Sequence, residues 1–252
     1  MKFLRIIAFI LILSQAAIVS SADNSYNWYF KKNGNNTPTF PENADFVYAH
    51  KGYYIDKKAA ENNDKVIYLT FDAGYENGNI EKILDVMKKE EVTGAFFILS
   101  NLIKKNPDLV KRMAQEGHLV CNHTSNHKDM TRLSREEMLA NLERLENQYE
   151  EYTGFKMEKI FRFPEGKYNE RCMITCSEAG YKTVFWSMAY DDWDNSRQMS
   201  AEKAKRKLLE TTHCGAILLL HPTSQTNVEI LDDLISEWKM MGYRFGSLHD
   251  IV

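Results

Sequence analysis

The sequence of 252 residues has no long run of basic residues, and its formal net charge is −3 at pH 7. A nucleic acid is therefore not expected as a partner. The sequence also has no glycine-rich phosphate-binding loop and no serine nucleophile elbow, and Ser100 and Ser187 lie in no recognisable nucleophile motif. These absences argue against a nucleotide-driven step and against an acyl-enzyme intermediate.

Cysteine is scarce, since only Cys121, Cys172, Cys176 and Cys214 are present. Four thiols permit two disulfides, but in a chain this long they do not make a disulfide scaffold, and the sequence does not give the pairing. Cys172 and Cys176 are spaced like neighbours on one face of a helix. We favour small buried thiols as the interpretation of these residues.

A long hydrophobic run occurs only at the start of the chain, from Ile6 to Val19. Basic residues precede it, and Ser20 and Ala22 follow it as in an A-x-A-like cleavage site. The run is shorter than the roughly 20 residues of a typical membrane span. We predict that residues 1–22 are an export signal, with an uncleaved anchor and membrane association as the alternative. Both place the protein outside the cytoplasm.

Short apolar segments alternate with amphipathic segments from Val66 onward. The predicted strands are VIYLTF, GAFFIL, HLVCN, KIFRF, TVFWS, AILLLH and YRFGSL. Helices are predicted near 80–89, before 117, after 134, near 170–179, 200–212 and 226–241. Ser134 and Glu137 form a predicted capping box at the start of one helix. This alternation implies an α/β fold with a parallel sheet.

About seven strands favour a small irregular (β/α) barrel, although an open sheet would show the same periodicity. Residues 23–64 show no sustained period and are predicted to form an irregular N-terminal extension ahead of a domain at 65–252. The aromatic side chains expected to pack this extension are Trp28, Tyr29, Phe40, Tyr53 and Tyr54.

Ionisable residues stand at the ends of five predicted strands. They are Asp72, His123 with His127, Arg162, Asp192 and His221. A barrel collects its active site at the carboxyl ends of its strands. Five such positions predict a common site there.

Each of these residues has a chemical role available. His123 and His127 stand four residues apart, a common spacing for two ligands of one divalent metal. His221 leaves an apolar strand and would serve as a general acid, with Asp192 fixing its tautomer. Without a serine elbow, hydrolysis by a metal-bound water is favoured.

Five segments, in order, resemble the motifs of the polysaccharide deacetylase family, the NodB-homology carbohydrate esterases. TFDAG resembles the first motif, TFDDG, and HTSNH matches the second, H-S/T-x-x-H. RFPEG resembles the third, R-x-P, and WSMAYDDW resembles the fourth, with Trp186 and Trp193. LLLH matches the fifth. The resemblance covers about residues 65–252.

This resemblance implies an irregular (β/α) barrel that removes acetyl groups from N-acetylated sugars or from acetylated xylan. It implies Asp72 as general base, Arg162 as the residue that orients it, Asp192 as the residue that tunes His221, and His221 as the acid that protonates the departing amine. His123 and His127 would be the metal ligands. Trp186 and Leu219 would line the groove for the acetyl methyl. Backbone N–H groups near Gly166, or the metal, would hold the oxyanion.

One position departs from the family pattern. Ala73 stands where most members have a second aspartate, the third metal ligand. A methyl group cannot coordinate metal, so a divalent ion, expected to be zinc, would be held by two imidazoles and bound more weakly.

The stretch TFDAGYENG and the N-terminal stretch NWYFKKN resemble the branch of muramic δ-lactam-forming deacetylases of spore-forming bacteria. That branch implies a peptidoglycan glycan strand as substrate, with Tyr75 as a substrate-binding residue, and activity at the cell wall or spore cortex. The expected reaction is de-N-acetylation of N-acetylmuramic acid residues that have lost their peptide, which leads to the lactam.

Two alternatives stay open. One is a deacetylase for N-acetylglucosamine in peptidoglycan or in chitin-like oligomers, which would use the same catalytic residues. The other is a glycan-binding module on a degraded esterase scaffold, which only Ala73 supports.

Overall fold

The computed structural model describes residues 24–252, so the predicted export signal at 1–22 lies outside the described residues. The α-helices of the described chain are α1 (Ala44–Ala49), α2 (Lys57–Asn62), α3 (Ile80–Lys89), α4 (Ser100–Lys105), α5 (Pro107–Gln115), α6 (Arg135–Thr153), α7 (Glu170–Glu178), α8 (Ala201–Glu210) and α9 (Gln225–Met240). Short 3-10 helices lie at Met130–Arg132, Pro164–Gly166 and Leu248–Asp250.

The strands of the described residues are β1 (Tyr26–Asn27), β2 (Lys31–Asn33), β3 (Asn36–Thr39), β4 (Gly52–Tyr53), β5 (Val66–Ala73), β6 (Ala95–Ile98), β7 (Leu119–Asn122), β8 (Glu158–Phe161), β9 (Lys167–Tyr168), β10 (Lys182–Val184), β11 (Met188–Ala189), β12 (Ala216–Leu220) and β13 (Arg244–Phe245). Alternation of strands and helices from β5 onward is therefore confirmed.

Nine of these strands form one parallel sheet in the order β11-β12-β5-β6-β7-β8-β10-β4, with β13 paired to the start of β5. The chain between β10 and β11 connects the two ends of this order. The Phe185 N–H donates to the Tyr53 carbonyl (2.7 Å), and the Ser187 N–H donates to the Ile217 carbonyl (3.0 Å). The sheet is thus strongly curled, and the predicted irregular (β/α) barrel is confirmed.

Both faces of the central strand β5 are buried, as in other parallel sheets. Ile67, Leu69 and Phe71 pack in a cluster with apolar residues of the surrounding helices. Val66 and Tyr68 pack in a separate cluster with residues of the neighbouring strands, inside the curl. Because side chains alternate along a strand, Thr70 and Asp72 continue the inner face, while Ala73 belongs to the helix-facing cluster. This alternation aims Asp72 into the barrel.

The N-terminal region is more ordered than its sequence predicts. It contains α1, α2 and a hairpin of β2 and β3, and β4 forms one edge of the main sheet by pairing with β10. Trp28 packs against Phe185, with ring centroids 4.7 Å apart, and Phe40 packs against Tyr54 at 4.3 Å. Tyr29, expected to pack here, is instead 50% exposed. Elements this short leave no periodic signal.

Helix α6 begins at the predicted capping box. The Ser134 hydroxyl accepts the Glu137 N–H, and the Glu137 carboxylate accepts the Ser134 N–H. Met138, Leu142 and Leu145 on its inner face are buried. The two orphan amides are thereby satisfied and the helix is fixed against the sheet.

All four cysteines lie in the described residues and are free thiols, and three of them are buried. The interpretation as buried thiols thus holds for Cys121, Cys172 and Cys176, whereas Cys214 is partly exposed. Between residues 24 and 252, no helix is long and apolar enough to cross a membrane.

Candidate active site

The predicted ionisable residues lie at the carboxyl ends of parallel strands. Asp72 is the penultimate residue of β5, and His123, Arg162 and His221 directly follow β7, β8 and β12. Asp192 lies three residues beyond the end of β11. The curl of the sheet brings these ends together, so that residues distant in sequence make direct contacts.

Asp72 is held in place by the fully buried guanidinium of Arg162. Arg162 Nη1 donates to Asp72 Oδ1 at 2.8 Å. The other nitrogens of Arg162 donate to the Val184 carbonyl (2.9 Å), the Thr70 hydroxyl (2.9 Å) and the Phe185 carbonyl (3.2 Å). Every branch of the guanidinium is thus engaged, which fixes the orientation of the carboxylate it binds.

The electrostatics of this pair keep Asp72 ionised. Burial raises the pKa of Asp72, but the nearby His123, Arg162 and His221 and the hydrogen bond from Arg162 more than offset this, and the net pKa is lowered. The carboxylate is consequently charged and able to accept a proton at neutral pH.

His221 is paired with Asp192, which is almost completely buried. The Asp192 carboxylate accepts the His221 Nδ1–H at 2.8 Å and the His221 backbone N–H at 2.7 Å. Since Nδ1 carries this hydrogen bond, Nε2 is the nitrogen left to act on a ligand. Burial lowers the pKa of His221, but Asp192 outweighs burial and the net pKa is raised. The imidazole is therefore suited to donate a proton.

Asn227 holds both members of the pair of Asp192 and His221 by hydrogen bonds. No pattern in the sequence pointed to this residue. Its Nδ2 donates to Asp192 Oδ2 at 2.6 Å and to the His221 carbonyl at 2.9 Å, while its Oδ1 accepts the Tyr190 hydroxyl at 2.6 Å. Asn227 lies in the first turn of α9, outside any motif, so only the fold reveals that it positions Asp192.

The imidazoles of His123 and His127 are adjacent, with ring centroids 5.0 Å apart. The Arg162 carbonyl can only accept, so His123 Nδ1 donates to it (2.9 Å) and Nε2 keeps its lone pair. Burial lowers the pKa of His123 to about 4, which keeps this imidazole neutral. His123 Nε2 lies 3.4 Å from Asp72 Oδ2.

His123 has the tautomer and the charge state that a metal-ligating imidazole needs. A fixed tautomer and a neutral ring are what a ligating imidazole requires. Ala73 offers no oxygen, and its methyl group is buried in the apolar cluster behind the strand. Within residues 24–252 there is no group of three or more His, Cys, Asp or Glu side chains placed to hold a metal.

A cavity of about 770 Å³ opens onto the candidate catalytic residues. Its wall includes Asp72, His127 and His221 together with Trp186 and Leu219, the two residues expected to line the acetyl groove. His123, Arg162 and Asp192 are buried and lie behind this wall, in contact with Asp72 or His221. The cavity thus contains both the candidate base and the candidate acid.

Backbone N–H groups near Gly166 stay a prediction as oxyanion donors, but the N–H of Gly166 itself is not free. Its N–H donates to the Phe163 carbonyl at 3.0 Å, so it is already engaged. Its φ is +65°, and a Cβ there would lie 2.8 Å from the Trp186 ring. The close approach of the Trp186 ring explains why a glycine stands at this position. From the same turn, Glu165 lines the cavity.

Tyr75, expected to bind substrate, is 47% exposed and is not among the residues that line the cavity. Its hydroxyl accepts a hydrogen bond from Asn195 Nδ2 (2.9 Å). The contact joins the loop after β5 to the loop that follows Asp192.

Sequence reasoning missed several residues of the cavity wall. They are Phe30, Lys32, Glu165, Ala189, Tyr190, Asp191, Trp193 and Lys207. Trp193 was recognised as part of a motif but given no place in the site. Phe30 and Lys32 come from the N-terminal region, which has no periodicity that would have located them.

Comparison with known proteins agrees with the motifs. The sequence profile described as polysaccharide deacetylase matches residues 59–184. The chain is 36% identical over 248 residues to the peptidoglycan-N-acetylmuramic acid deacetylase PdaA of Bacillus subtilis, covering 97% of this chain and 93% of that protein. A peptidoglycan-N-acetylglucosamine deacetylase of Bacillus cereus is 32% identical over 197 residues, 76% of this chain and 90% of that protein.

The fold agrees as well. The solved structure of Bacillus subtilis PdaA, a family 4 carbohydrate esterase, is similar with a TM-score of 0.85 and 36% sequence identity, over 90% of this chain and 96% of that chain. Because a family profile matches half of the chain and a relative aligns along nearly all of it, the resemblance drawn from the five motifs is confirmed, and the chain belongs to the polysaccharide deacetylase family.

Proposed function

We propose that this protein hydrolyses the acetamide of N-acetylmuramic acid residues in peptidoglycan whose peptide has been removed. The observation that carries the proposal is the cavity that presents Asp72, held ionised by Arg162, together with His221, held by Asp192. A base and an acid with pKa values shifted in opposite directions are what amide hydrolysis requires.

In the proposed reaction, Asp72 takes a proton from a water molecule as the water oxygen attacks the acetamide carbonyl carbon. The tetrahedral intermediate collapses when His221 Nε2–H protonates the amide nitrogen and the C–N bond breaks. The products are acetate and the free amine of the sugar. Asp72 then releases its proton to solvent and His221 regains one, so both return to their starting states.

His123 and His127 are the residues that would hold a divalent ion, with zinc as the expected metal. Such an ion, when bound, would supply a Lewis acid for the water or the carbonyl. With two imidazoles as protein ligands and none from Ala73, we expect it to exchange readily.

The choice of muramic acid is supported by the similarity to PdaA along almost the whole chain, including the N-terminal region. An amine freed on muramic acid can close on the lactyl carboxylate of the same sugar to form the δ-lactam. Activity in the cell wall or spore cortex, after export, completes the proposal.

The function is tested by mass spectrometry of digested products from two substrates, each with and without a chelator. One substrate is peptidoglycan whose muramic acid has been stripped of peptide, and the other is an N-acetylglucosamine oligomer. We expect loss of acetyl, or of acetyl plus water, only from the stripped muramic acid. Deacetylation of the oligomer instead would transfer the assignment to a glucosamine deacetylase, and no reaction on either would favour a glycan-binding module.

A further inference from the structure

Among the residues that the structure describes, Lys32 is a cation of the cavity wall that forms no ion pair with a carboxylate. The carboxyl side chains of the wall each have a cation nearby: Asp72 pairs with Arg162 at 2.8 Å, Glu165 with Lys167 at 2.6 Å, and Asp191 lies 4.0 Å from Lys207. Lys32 also lines the cavity, and no carboxylate of residues 24–252 lies within ion-pair distance of it.

Lys32 and Lys207 reach the cavity from opposite ends of the chain. Lys32 lies on the hairpin of β2 and β3, and Lys207 lies in the last turn of α8. The two ammonium groups are close enough to influence each other: loss of hydration and the charge of Lys207 lower the pKa of Lys32, and Asp191 opposes this. Lys207 lies 4.0 Å from the exposed Asp191 and Lys32 forms no ion pair within the described chain, so two cations and one carboxylate leave a net positive charge on this side of the cavity.

N-acetylmuramic acid offers the complementary charge. It differs from N-acetylglucosamine by a lactyl ether at O3, whose carboxylate stands beside the acetamide at C2. A site that holds the acetamide near Asp72 and His221 would therefore bring this carboxylate to the surrounding wall of the same cavity.

We propose that Lys32, assisted by Lys207, binds the lactyl carboxylate and so selects muramic acid over glucosamine. This inference rests on the proposed function and adds to it the residues that recognise the negative charge of the substrate. The ammonium groups act on binding only, because the reacting atoms belong to the neighbouring acetamide.

The competing interpretation is that the two lysines only neutralise Asp191. In that case a substrate without the carboxylate would bind as well as one with it. Lys207, at 4.0 Å from Asp191, suits that interpretation better than Lys32 does. Lys32 is therefore the decisive position.

The test compares an N-acetylglucosamine–N-acetylmuramate tetrasaccharide with its lactyl methyl ester, which is neutral and otherwise the same. Wild type is compared with Lys32→Gln and Lys207→Gln. The matched controls are Lys31→Gln, on the same strand, and Lys203→Gln, one turn earlier on α8, neither of which lines the cavity.

We expect wild type to show a lower KM for the acid than for the ester. Lys32→Gln should raise KM for the acid about tenfold with little change in kcat, because one charge-assisted hydrogen bond is lost, and should leave the ester unchanged. Lys207→Gln should act in the same direction, and added salt should weaken the preference of wild type. The controls should behave as wild type.

An equal preference for the acid in wild type and Lys32→Gln would overturn the inference, as would the absence of any preference in wild type. Calorimetric binding of the two tetrasaccharides to the same variants keeps this test separate from the chemistry. Wild type could bind the acid more tightly through Lys32 and yet release no acetate. In that case the binding of the lactyl carboxylate by Lys32 is supported and the proposed hydrolysis is wrong.

Discussion

Arg162 is the most tightly held side chain of the site, and it shows how single residues set the chemistry. Its guanidinium is fully buried and is one of the charges that lower the pKa of Asp72. A buried charge of this kind is stable only with complete pairing, which Asp72, Thr70 and two backbone carbonyls supply. The candidate base Asp72 is therefore oriented before any substrate binds.

The dyad of Asp192 and His221 predicts a specific pH dependence. Activity requires Asp72 ionised, which holds above its lowered pKa, and His221 protonated, which holds below its raised pKa. Asp192→Asn removes the charge that raises the pKa of His221. The alkaline limb of the kcat/KM profile should consequently move to lower pH, with activity reduced by about 10²–10⁴-fold.

Kinetics over the pH range check this prediction, and the acidic limb provides the internal control because Asp72 keeps Arg162. An alkaline limb that stays where wild type has it would show that His221 does not set it. Asn227→Ala, which removes one contact of Asp192 but leaves its charge, should move the same limb much less than Asp192→Asn does.

Ala73 yields a prediction about metal binding. Ala73→Asp places a carboxylate at a fully buried, apolar position. Without metal it should lower the free energy of unfolding by roughly 3 kcal/mol, because an unpaired buried charge is costly. Zinc should then raise the melting temperature of this variant more than that of wild type, provided that the longer side chain turns from the helix-facing side of β5 toward His123 and His127, since the new ligand binds only in the folded state.

Thermal unfolding with and without zinc measures both effects, and Ala73→Asn is the matched control that adds similar bulk without a charge. A zinc response of Ala73→Asp no larger than that of wild type would mean that position 73 cannot reach an ion held by His123 and His127.

At the scale of elements, the candidate site residues lie at the ends of strands, and the helices pack against the outer face of the sheet. Helix α6 begins at a solvent-exposed capping box, and neither of its two residues belongs to the candidate active site. Ser134→Ala should lower the free energy of unfolding by about 1 kcal/mol, the usual cost of removing an N-cap. Acetate release by the folded protein should not change.

Ser200→Ala is the matched control, because Ser200 stands at the N-cap of α8 without a side-chain capping hydrogen bond. Urea unfolding of both variants measures the difference. Equal losses of stability would mean that the hydrogen bonds of Ser134 do not stabilise α6.

The long strands and helices could be predicted from the sequence, whereas the shortest strands could not, and the difference has a physical reason. Strands such as β5 and β12 are continuous apolar runs because both of their faces are buried, and such runs are visible without a structure. Strand β4 has two residues and β2 has three, so neither leaves a pattern. Their positions depend on packing around Trp28 and on pairing with β10.

At the scale of the whole molecule, the curl of the sheet turns separate strand ends into one site. Asp72 and His221 were predictable because each is an ionisable residue at the end of an apolar strand. The wall formed by Phe30 and Lys32 was not predictable, since it depends on how the N-terminal region folds across the open end of the barrel. The hydrogen bond from the Gly166 amide to the Phe163 carbonyl was not predictable either, since only the structure reveals this partner.

The most direct test of the central claim is the release of acetate from peptide-stripped muramic acid by wild type, Asp72→Asn and His221→Ala under one set of conditions. Loss of the base or the acid should each reduce the rate by about 10²–10⁴-fold while the variants stay folded. Near-wild-type acetate release by either variant, or no release by wild type with divalent metal present, would contradict the assignment of Asp72 and His221 as the acid–base pair of a deacetylase.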